Sequence, residues 1–264
     1  MKIPFTKAHG ARNDFLLTLA ADAPRNGREN TSRALCDRHA GVGADGWIVV
    51  SPPGDTEANA AIQLYNSDGG MAEISGNGTR CVAAFLIHRG LAAEVVRIRT
   101  GAGIKTLRLL QRSELTFTFE MNMGRPEIAS ERGFLQLDDG PLDVTLLGMG
   151  NPQCAVLVTT FEFDWRKLGA EIESHPQFPN HTNVSFLRIV DEHTIEARFW
   201  ERGAGETMSS GTGSAGAAVA ALTRGLAKSP VAVRTPGGTL DIRWDTSIYL
   251  IGPAVIVAEG QFLL

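Results

Sequence analysis

SGNGTRCVAAFLIHRGL at residues 75–91 and SGTGSAGAAVAALTRGL at residues 210–226 share one pattern: a serine with two glycines, a run of small and apolar residues, and a closing Arg-Gly-Leu. The two stretches are equally long and lie 135 residues apart, about half of the 264-residue chain. The same offset relates Arg99-Thr100 to Arg234-Thr235 and Arg108 to Arg243. Three ungapped blocks at one offset indicate two homologous halves.

Each stretch is predicted to be a helix with a capped N-terminus. Ser75 and Ser210 suit the N-cap position, and the glycines after them let a ligand approach the backbone. The helices are expected over 80–88 and 214–223, and the glycine of each closing Arg-Gly-Leu falls where a left-handed residue ends a helix. The second helix is apolar on nearly every side, which predicts that it is buried all round.

Short segments rich in β-branched and aromatic residues surround these helices and are typical of strands. The predicted fold class is therefore α+β, with two pseudo-symmetric lobes, each a mostly antiparallel sheet wrapped around a central helix. The boundary is expected near residues 121–126, where a strand ends in turn residues. This gives an N-terminal lobe over 1–120, a C-terminal lobe over 121–257, and a tail over about 258–264 that returns to the first lobe. The predicted strands include residues 15–19, 47–50, 95–99, 115–119, 155–158, 183–187, 195–200 and 255–258.

The composition excludes several classes of protein. With 43% apolar residues and a net charge of −4, the chain has too much hydrophobic material to be disordered. Its 25 basic residues are scattered, which argues against a nucleic-acid surface. No apolar run approaches the roughly 20 residues of a membrane span. The three widely spaced cysteines imply no disulfide framework. A cytoplasmic protein with a small-molecule partner is expected.

The two glycine-rich helix N-termini are candidate anion sites, because free N–H groups and the helix dipole favour a carboxylate there. If a pseudo-twofold axis relates the lobes, both N-termini face one cleft. A ligand would then meet Ser75 and Ser210 from opposite faces, which suits reversible proton transfer at one carbon. A single such turn is more often only a capped helix, but the duplication and the polar segments favour a functional site.

Those polar segments are dense in asparagine and in charged residues. They lie at residues 9–15, 65–70, 149–152, 182–184 and 201–207. An amide both donates and accepts hydrogen bonds, so it can bind an ammonium or a carboxylate group. Arg202 can hold a carboxylate with two hydrogen bonds, and Glu201 can hold an ammonium group or act as a base. A zwitterionic amino acid is the matching ligand.

At these residues the sequence resembles the diaminopimelate epimerase family, the cofactor-independent amino-acid epimerases of lysine and peptidoglycan precursor synthesis. The similarity runs over essentially the whole chain, from residue 7 to residue 254. Its markers are Asn13-Asp14-Phe15, CDRH at 36–39, GVGADG at 41–46, NSDG at 66–69, GNGTRC at 76–81, MGNP at 149–152, Phe178-Pro179, Thr182-Asn183-Val184, ERGAGET at 201–207 and Gly211-Thr212-Gly213.

The resemblance implies interconversion of LL- and meso-2,6-diaminopimelate, without a cofactor or a metal, by a base and an acid on opposite faces of the α-carbon. It implies a ligand between the lobes, under the two helix N-termini. Family members are commonly dimers, so a homodimer is one expectation for the assembly. The implied substrate-binding residues are Asn13, Asn66, Gly76, Asn77, Asn151, Asn183, Glu201, Arg202, Gly211 and Thr212.

The chain departs from the family at the catalytic positions that the resemblance implies. Ser75 and Ser210 stand where family chains carry the two catalytic cysteines, and Gln153 stands where a histidine usually assists the first of them. Glu201, the helper of the second, is retained. A thiol has a pKa of about 8.5, whereas the pKa of a hydroxyl is far higher, near that of water, so serine forms the base far less readily.

Three explanations of the serines remain open. They are engineered, they mark natural divergence toward an amino-acid-binding protein with weak or silent catalysis, or they accompany another reaction such as an elimination, for which one base near Glu201 suffices. We favour natural divergence because the first cysteine and its histidine are lost together. A non-enzymatic amino-acid-binding protein is the rival to the isomerase, and a purely structural scaffold is a distant third.

Overall fold

The computed structural model describes all 264 residues. Its first ten elements are β1 (Lys2–Gly10), β2 (Asn13–Leu19), α1 (Arg28–Cys36), β3 (Gly46–Ser51), β4 (Ala60–Asn66), β5 (Met71–Ala72), α2 (Gly76–His88), β6 (Val95–Thr100), β7 (Gly103–Ser113) and β8 (Thr116–Gly124). The remaining elements are β9 (Glu127–Leu137), β10 (Gly140–Gly148), β11 (Pro152–Leu157), α3 (Trp165–Glu173), β12 (Asn183–Asp191), β13 (Thr194–Glu201), β14 (Gly205–Thr207), α4 (Gly211–Thr223), β15 (Val231–Thr235), β16 (Gly238–Trp244) and β17 (Ile248–Leu263). No helix combines the length and the apolar character needed to span a membrane.

The chain divides into two compact units. Unit 1 contains Met1–Met121 and Gly252–Leu264, and unit 2 contains Asn122–Ile251. The returning segment begins at Gly252, so the expected start near residue 258 was too late. The reason is that β17 is one strand of 16 residues, which pairs with β16 at its beginning and with β1 from Val255 onward.

Both units are built mainly from antiparallel strand pairs, with the same two kinds of exception. Parallel pairing joins β2 to β3 and β4 to β6 in unit 1, and β11 to β12 and β13 to β15 in unit 2. In each unit a helix connects the strands of both parallel pairs: α1 and α2 in unit 1, and α3 and α4 in unit 2. The same series of elements therefore occurs twice along the chain.

In unit 1, β3 is buried on both faces because helices cover both. Trp47 and Val49 pack in one core cluster with Leu35 of α1. Ile48, whose side chain points to the other face of the strand, lies against α2, where a Cβ on Gly78 would be only 2.9 Å from its Cδ1. All residues of α2 from Gly76 to Leu86 are buried.

Unit 2 has the same layers. Val184 and Phe186 of β12 pack with Trp165 of α3. Ser185, on the opposite face of the strand, donates a hydrogen bond from Oγ to the Gly213 carbonyl of α4 at 3.3 Å. Residues 211–221 of α4 are all buried, which confirms the prediction that this helix is enclosed on every side.

The expected starts of the two central helices were wrong. Both central helices begin directly after the capping serine, at Gly76 and Gly211, rather than at 80 and 214. The glycines there adopt helical geometry despite their low intrinsic propensity, because the serine cap and the surrounding strands stabilise the first turn. The outer helices α1 and α3 were not predicted. A local signal existed for α3, since Asp164 caps it by accepting from the Lys167 N–H at 3.1 Å.

Candidate active site

The N-terminus of α2, with Ser75, Asn77 and Asn13, forms what we call half-site 1. Ser75 is extended, and its Oγ accepts a hydrogen bond from the Gly78 N–H at 3.1 Å. Asn77 donates from Nδ2 to Asn13 Oδ1 at 3.2 Å. Asn13 in turn donates from its Nδ2 to Asp45 Oδ2 at 2.8 Å. Three of the predicted site residues of unit 1 are therefore joined at one helix end.

Asp45 belongs to a charged network that anchors Asn13. Arg38 bridges Asp14 and Asp45, with both contacts at 2.8 Å, and Lys7 lies 3.1 Å from Asp14. Burial works to raise the pKa of Asp14, but the hydrogen bonds from Arg38 and Lys7 outweigh it, and its pKa lies below the usual value. The cationic partners thus keep Asp14 ionised.

The N-terminus of α4, with Ser210, Glu201 and Thr207, forms half-site 2. Ser210 Oγ accepts from the Gly213 N–H at 3.1 Å and donates to Glu201 Oε2 at 2.9 Å. The other carboxylate oxygen of Glu201 accepts from Thr207 Oγ1 at 2.6 Å. The short strand β14 supplies Thr207 and the end of β13 supplies Glu201, so the β13–β14 hairpin holds a carboxylate against the capping serine.

The two half-sites differ in their titratable groups. A carboxylate contacts the Ser210 hydroxyl, whereas the only polar contact of the Ser75 hydroxyl is the Gly78 N–H. His9 offers no substitute base for Ser75. Its neighbour Gly10 faces Asn77 and Arg80 of α2, so alternation along β1 directs His9 to the opposite face of the sheet.

Gln153 lies in unit 2, on β11, and is 3% exposed. Its Nε2 donates to Asn151 Oδ1 at 2.8 Å, and Asn151 Nδ2 contacts Thr212 Oγ1 at 3.4 Å. Gln153 Oε1 is buried without a hydrogen-bond partner. A β-carbon on Gly216 would lie 3.4 Å from the Gln153 Cβ, so the side chain packs along α4. Its predicted role toward Ser75 stays a prediction.

The remaining predicted binding residues differ in their exposure and in how far their side chains are already hydrogen-bonded within the chain. Asn66 is exposed, and its side chain makes no hydrogen bond within the chain. Asn183 is 6% exposed and is already engaged, because its Nδ2 donates to the Pro152 carbonyl at 2.9 Å and its Oδ1 accepts from the Arg202 N–H at 3.1 Å. Arg202 is exposed and contacts the Asn180 carbonyl. Gly76, Gly211 and Thr212 occupy the first turns of the two helices, where N–H groups lack intrahelical acceptors.

The three native cysteines are not among the predicted site residues. Cys36, Cys81 and Cys154 are all buried, as expected for small core residues. Burial raises the pKa of Cys36 to about 11 and the pKa values of Cys81 and Cys154 to about 12. Because the thiolate is the reactive form, none of these thiols is suited to the acid/base role that the family resemblance implies for positions 75 and 210.

The family model for diaminopimelate epimerase matches residues 5–129 and 145–257. The chain belongs to the diaminopimelate epimerase family. Curated diaminopimelate epimerases from Azoarcus sp. (strain BH72) and Teredinibacter turnerae (strain ATCC 39867 / T7901) are 39% and 37% identical to it over 280 aligned residues, with 100% of each chain covered. The family resemblance seen in the sequence is confirmed, and with it the assignment to an isomerase family.

Solved structures of more distant proteins share the fold of this family member. A hydroxyproline epimerase from Agrobacterium vitis superposes with a TM-score of 0.75 at 16% identity, covering 98% of this chain and 92% of that one. The Bacillus anthracis phenazine biosynthesis protein of the PhzF family gives 0.73 at 18% identity, with 100% of both chains covered. At this level of identity the likeness concerns the fold alone.

The sequence analysis missed two residues that hydrogen-bond to predicted site residues: Thr207 donates to Glu201, and Asp45 accepts from Asn13. Thr207 lies inside the ERGAGET motif, but only the fold of the hairpin brings its hydroxyl to Glu201. Asp45 lies 32 residues from Asn13, in the GVGADG segment, and the parallel pairing of β2 with β3 brings the two together. Both residues fall in quoted motifs, so the signal was present without an indication of its partner.

Proposed function

We propose that this protein is a cofactor-independent isomerase that interconverts LL- and meso-2,6-diaminopimelate by proton transfer at the α-carbon, and that it serves lysine and peptidoglycan precursor synthesis in the cytoplasm. The observation that carries the proposal is the Ser210 hydroxyl, which caps α4 and donates to Glu201 at 2.9 Å. This pair occupies the positions that the family resemblance implies for one acid/base group and its helper. A homodimeric assembly stays a prediction.

The proton path follows from the hydrogen bonds of half-site 2. The α-proton moves to Ser210 Oγ while the hydroxyl proton of Ser210 moves to Glu201, whose second oxygen is held by Thr207. The resulting carbanion takes a proton on its opposite face from the hydroxyl of Ser75. The alkoxide left on Ser75 would be stabilised by the Gly78 N–H and by the dipole of α2. This path requires both half-sites to share one ligand, which we propose as the purpose of the duplication.

The serines set the rate of this path. Replacing a thiol with pKa about 8.5 by a hydroxyl, whose pKa lies near that of water, raises the pKa of the group by at least about five units, or about 7 kcal/mol for forming the base. The helix dipole returns at most about 2 kcal/mol. The stronger basicity of an alkoxide recovers part of the remainder. We therefore expect proton transfer, rather than binding, to limit turnover.

Hydrogen exchange at the α-carbon in D₂O, followed by NMR, tests the proposal. The parent, Ser75→Cys, Ser210→Cys and the double variant are compared, together with a triple variant that also carries Gln153→His. We expect slow exchange in the parent, a small gain in each single variant and a gain of several powers of ten in the double variant, because epimerisation needs a group on each face. A parent that exchanges as fast as the triple variant would disprove the argument from pKa.

The introduced thiols can be checked independently of turnover. The three native thiols are buried, so native protein should resist iodoacetamide, whereas a cysteine at a helix N-terminus has a lowered pKa and should react. Selective labelling at position 75 or 210 establishes that the helix end is accessible and activating. Calorimetry with meso- and LL-diaminopimelate then separates binding from chemistry. Absence of binding by the parent at millimolar ligand would count against diaminopimelate as the substrate.

One observation favours a second candidate, an amino-acid-binding protein that does not epimerise. The Ser75 hydroxyl contacts neither a carboxylate nor an imidazole, and Gln153 cannot take up a proton. The family relationship favours the isomerase. Tight binding by the triple variant with no α-hydrogen exchange would instead support the binding protein, because the acid/base groups would then be present without effect.

A further inference from the structure

Arg80 is a fully buried guanidinium in the first turn and a half of α2, and its side chain has no carboxylate partner. It is 0% exposed. Its contacts are all with neutral oxygens: Nη1 donates to the Gly76 carbonyl at 3.2 Å, Nε donates to the Pro253 carbonyl at 3.1 Å, and Nη2 donates to Asn77 Oδ1. Desolvation lowers its pKa to about 10, which leaves it charged near neutral pH. An unpaired buried charge is costly, so its position calls for a function.

The guanidinium at one end and the Asp45 carboxylate at the other fix the orientation of two asparagine side chains. Arginine has donors only, so Asn77 must turn its oxygen toward Arg80 and its nitrogen toward Asn13. Asn13 must then accept with its oxygen and donate with its nitrogen to Asp45, a group that only accepts. With a pure donor at one end of this row and a pure acceptor at the other, each of the two amide groups has only one orientation in which all the hydrogen bonds form.

Backbone packing keeps this row of groups in place. A β-carbon on Gly10 would lie 3.1 Å from Arg80 Nη2 and 3.2 Å from the Asn77 Cα. Strand β1 therefore passes as close to α2 as a glycine allows. Such contact leaves Arg80 and Asn77 little room to adopt another arrangement.

Half-site 2 has an uncharged row of hydrogen bonds that runs in the opposite sense, from a strand residue to the helix. There Gln153 Nε2 donates to Asn151 Oδ1, and Asn151 Nδ2 contacts Thr212 Oγ1. At the offset of 135 residues, the counterpart of Arg80 is Ala215. The terminal donor is thus cationic in half-site 1 and neutral in half-site 2.

We propose that Arg80 is a positioning residue of half-site 1, which fixes the amide orientations of Asn77 and Asn13 and supplies a positive charge behind the N-terminus of α2. The ligand group bound there therefore meets oriented donors and a fixed positive potential, which select an anionic group such as a carboxylate. The inference rests on the proposed function, because diaminopimelate is the ligand used to test it.

The test compares Arg80→Lys, Arg80→Gln and Arg80→Met. Glutamine keeps a neutral donor for Asn77, lysine keeps the charge and a donor in a smaller group, and methionine keeps neither. The dissociation constant of meso-diaminopimelate, from calorimetry, is expected to rise at least tenfold in Arg80→Met and by less in the other two variants. Arg224→Met is the control, because Arg224 lies at the C-terminal end of α4, opposite to half-site 2, and its side chain, 6% exposed, binds Asp143.

A second readout does not depend on the ligand. Side-chain amide resonances of Asn13 and Asn77, assigned through Asn13→Asp and Asn77→Asp, should both shift in Arg80→Met and stay close to the parent in Arg80→Gln. Unchanged amide resonances in Arg80→Met would overturn the proposal, as would an equal loss of affinity in Arg224→Met. If Arg80→Met does not fold, Arg80→Gln decides, because it loses the charge: it should bind meso-diaminopimelate more weakly than the parent, and an affinity equal to that of the parent would overturn the proposal. A parent that binds no diaminopimelate refutes the proposed function, while the amide resonances still test the positioning role.

Discussion

Replacing Glu201 by glutamine is expected to remove the base of half-site 2 with the least change in shape. Ser210 Oγ and Thr207 Oγ1 each donate to one carboxylate oxygen, at 2.9 and 2.6 Å. Glutamine offers one oxygen and one NH₂ group, so only one of the two hydroxyls keeps its acceptor. A hydrogen bond to a charged group contributes about 1.5–3 kcal/mol, and the free energy of unfolding is expected to fall by about that amount.

The effect on catalysis should exceed the effect on stability. A positioned general base contributes about 10²–10⁴-fold to the rate, because it takes up the proton as the transition state forms. The rate of α-deuterium incorporation into meso-diaminopimelate, measured by NMR in D₂O, is expected to fall by that factor in Glu201→Gln. Urea unfolding of the same samples gives the stability change.

Glu206→Gln is the matched control, since Glu206 lies on the same β13–β14 hairpin but pairs with Arg166 at the surface. Exposed ion pairs contribute at most about 1 kcal/mol, so this variant should keep both stability and exchange rate nearly unchanged. Equal exchange rates in Glu201→Gln and the parent would refute the role of Glu201 as base. Equal loss in both glutamine variants would attribute the effect to the hairpin rather than to the carboxylate.

Two further predictions concern packing and pH. Gly213→Ala should destabilise the fold by about 1–3 kcal/mol, because the new Cβ would lie 2.8 Å from Phe199 Cδ1. In the same helix, the Cβ of Gly216→Ala would meet no atom closer than 3.4 Å, so this variant should be neutral or stabilising by up to about 1 kcal/mol. Urea unfolding measures both changes. The pKa of Asp14 is lowered in the folded state, so its contribution to stability is present above about pH 4 and is lost as the pH falls through the folded pKa. Asp14→Asn should therefore reduce the loss of unfolding free energy between about pH 5 and pH 3. An unchanged loss over this pH range would contradict the assignment.

Local rules explain why the two central helices could be recognised from sequence. A serine that caps a helix bonds to an N–H three residues later, as Ser75 does with Gly78 and Ser210 with Gly213. Such contacts are written within a few residues of sequence. Because the same motif recurs 135 residues later, the sequence also indicated two homologous halves without any knowledge of the fold. The predicted helix starts were too late because glycine has a low helix propensity, so the glycine-rich first turns resemble loops in the sequence.

The candidate ligand residues were less fully determined by the sequence. An asparagine was identified as a hydrogen-bonding residue, but its partners come from elements far along the chain. The side chain of Asn183 donates a hydrogen bond to the Pro152 carbonyl, 31 residues away, so part of its amide group is already bound within the protein. Asn66 keeps its side chain uncommitted at the surface. No motif distinguishes these two cases.

The sequence alone determined the family, the duplication and the residue types at the two helix ends, because each depends on order and spacing along the chain. Tertiary structure decided which of these groups are partnered. It joined Ser210 to Glu201 and Thr207, and it buried Arg80 behind Asn77 without a carboxylate. The physical reason is that hydrogen-bond partners and desolvation depend on how strands and helices pack, and packing brings together residues whose separation in sequence carries no signal of contact.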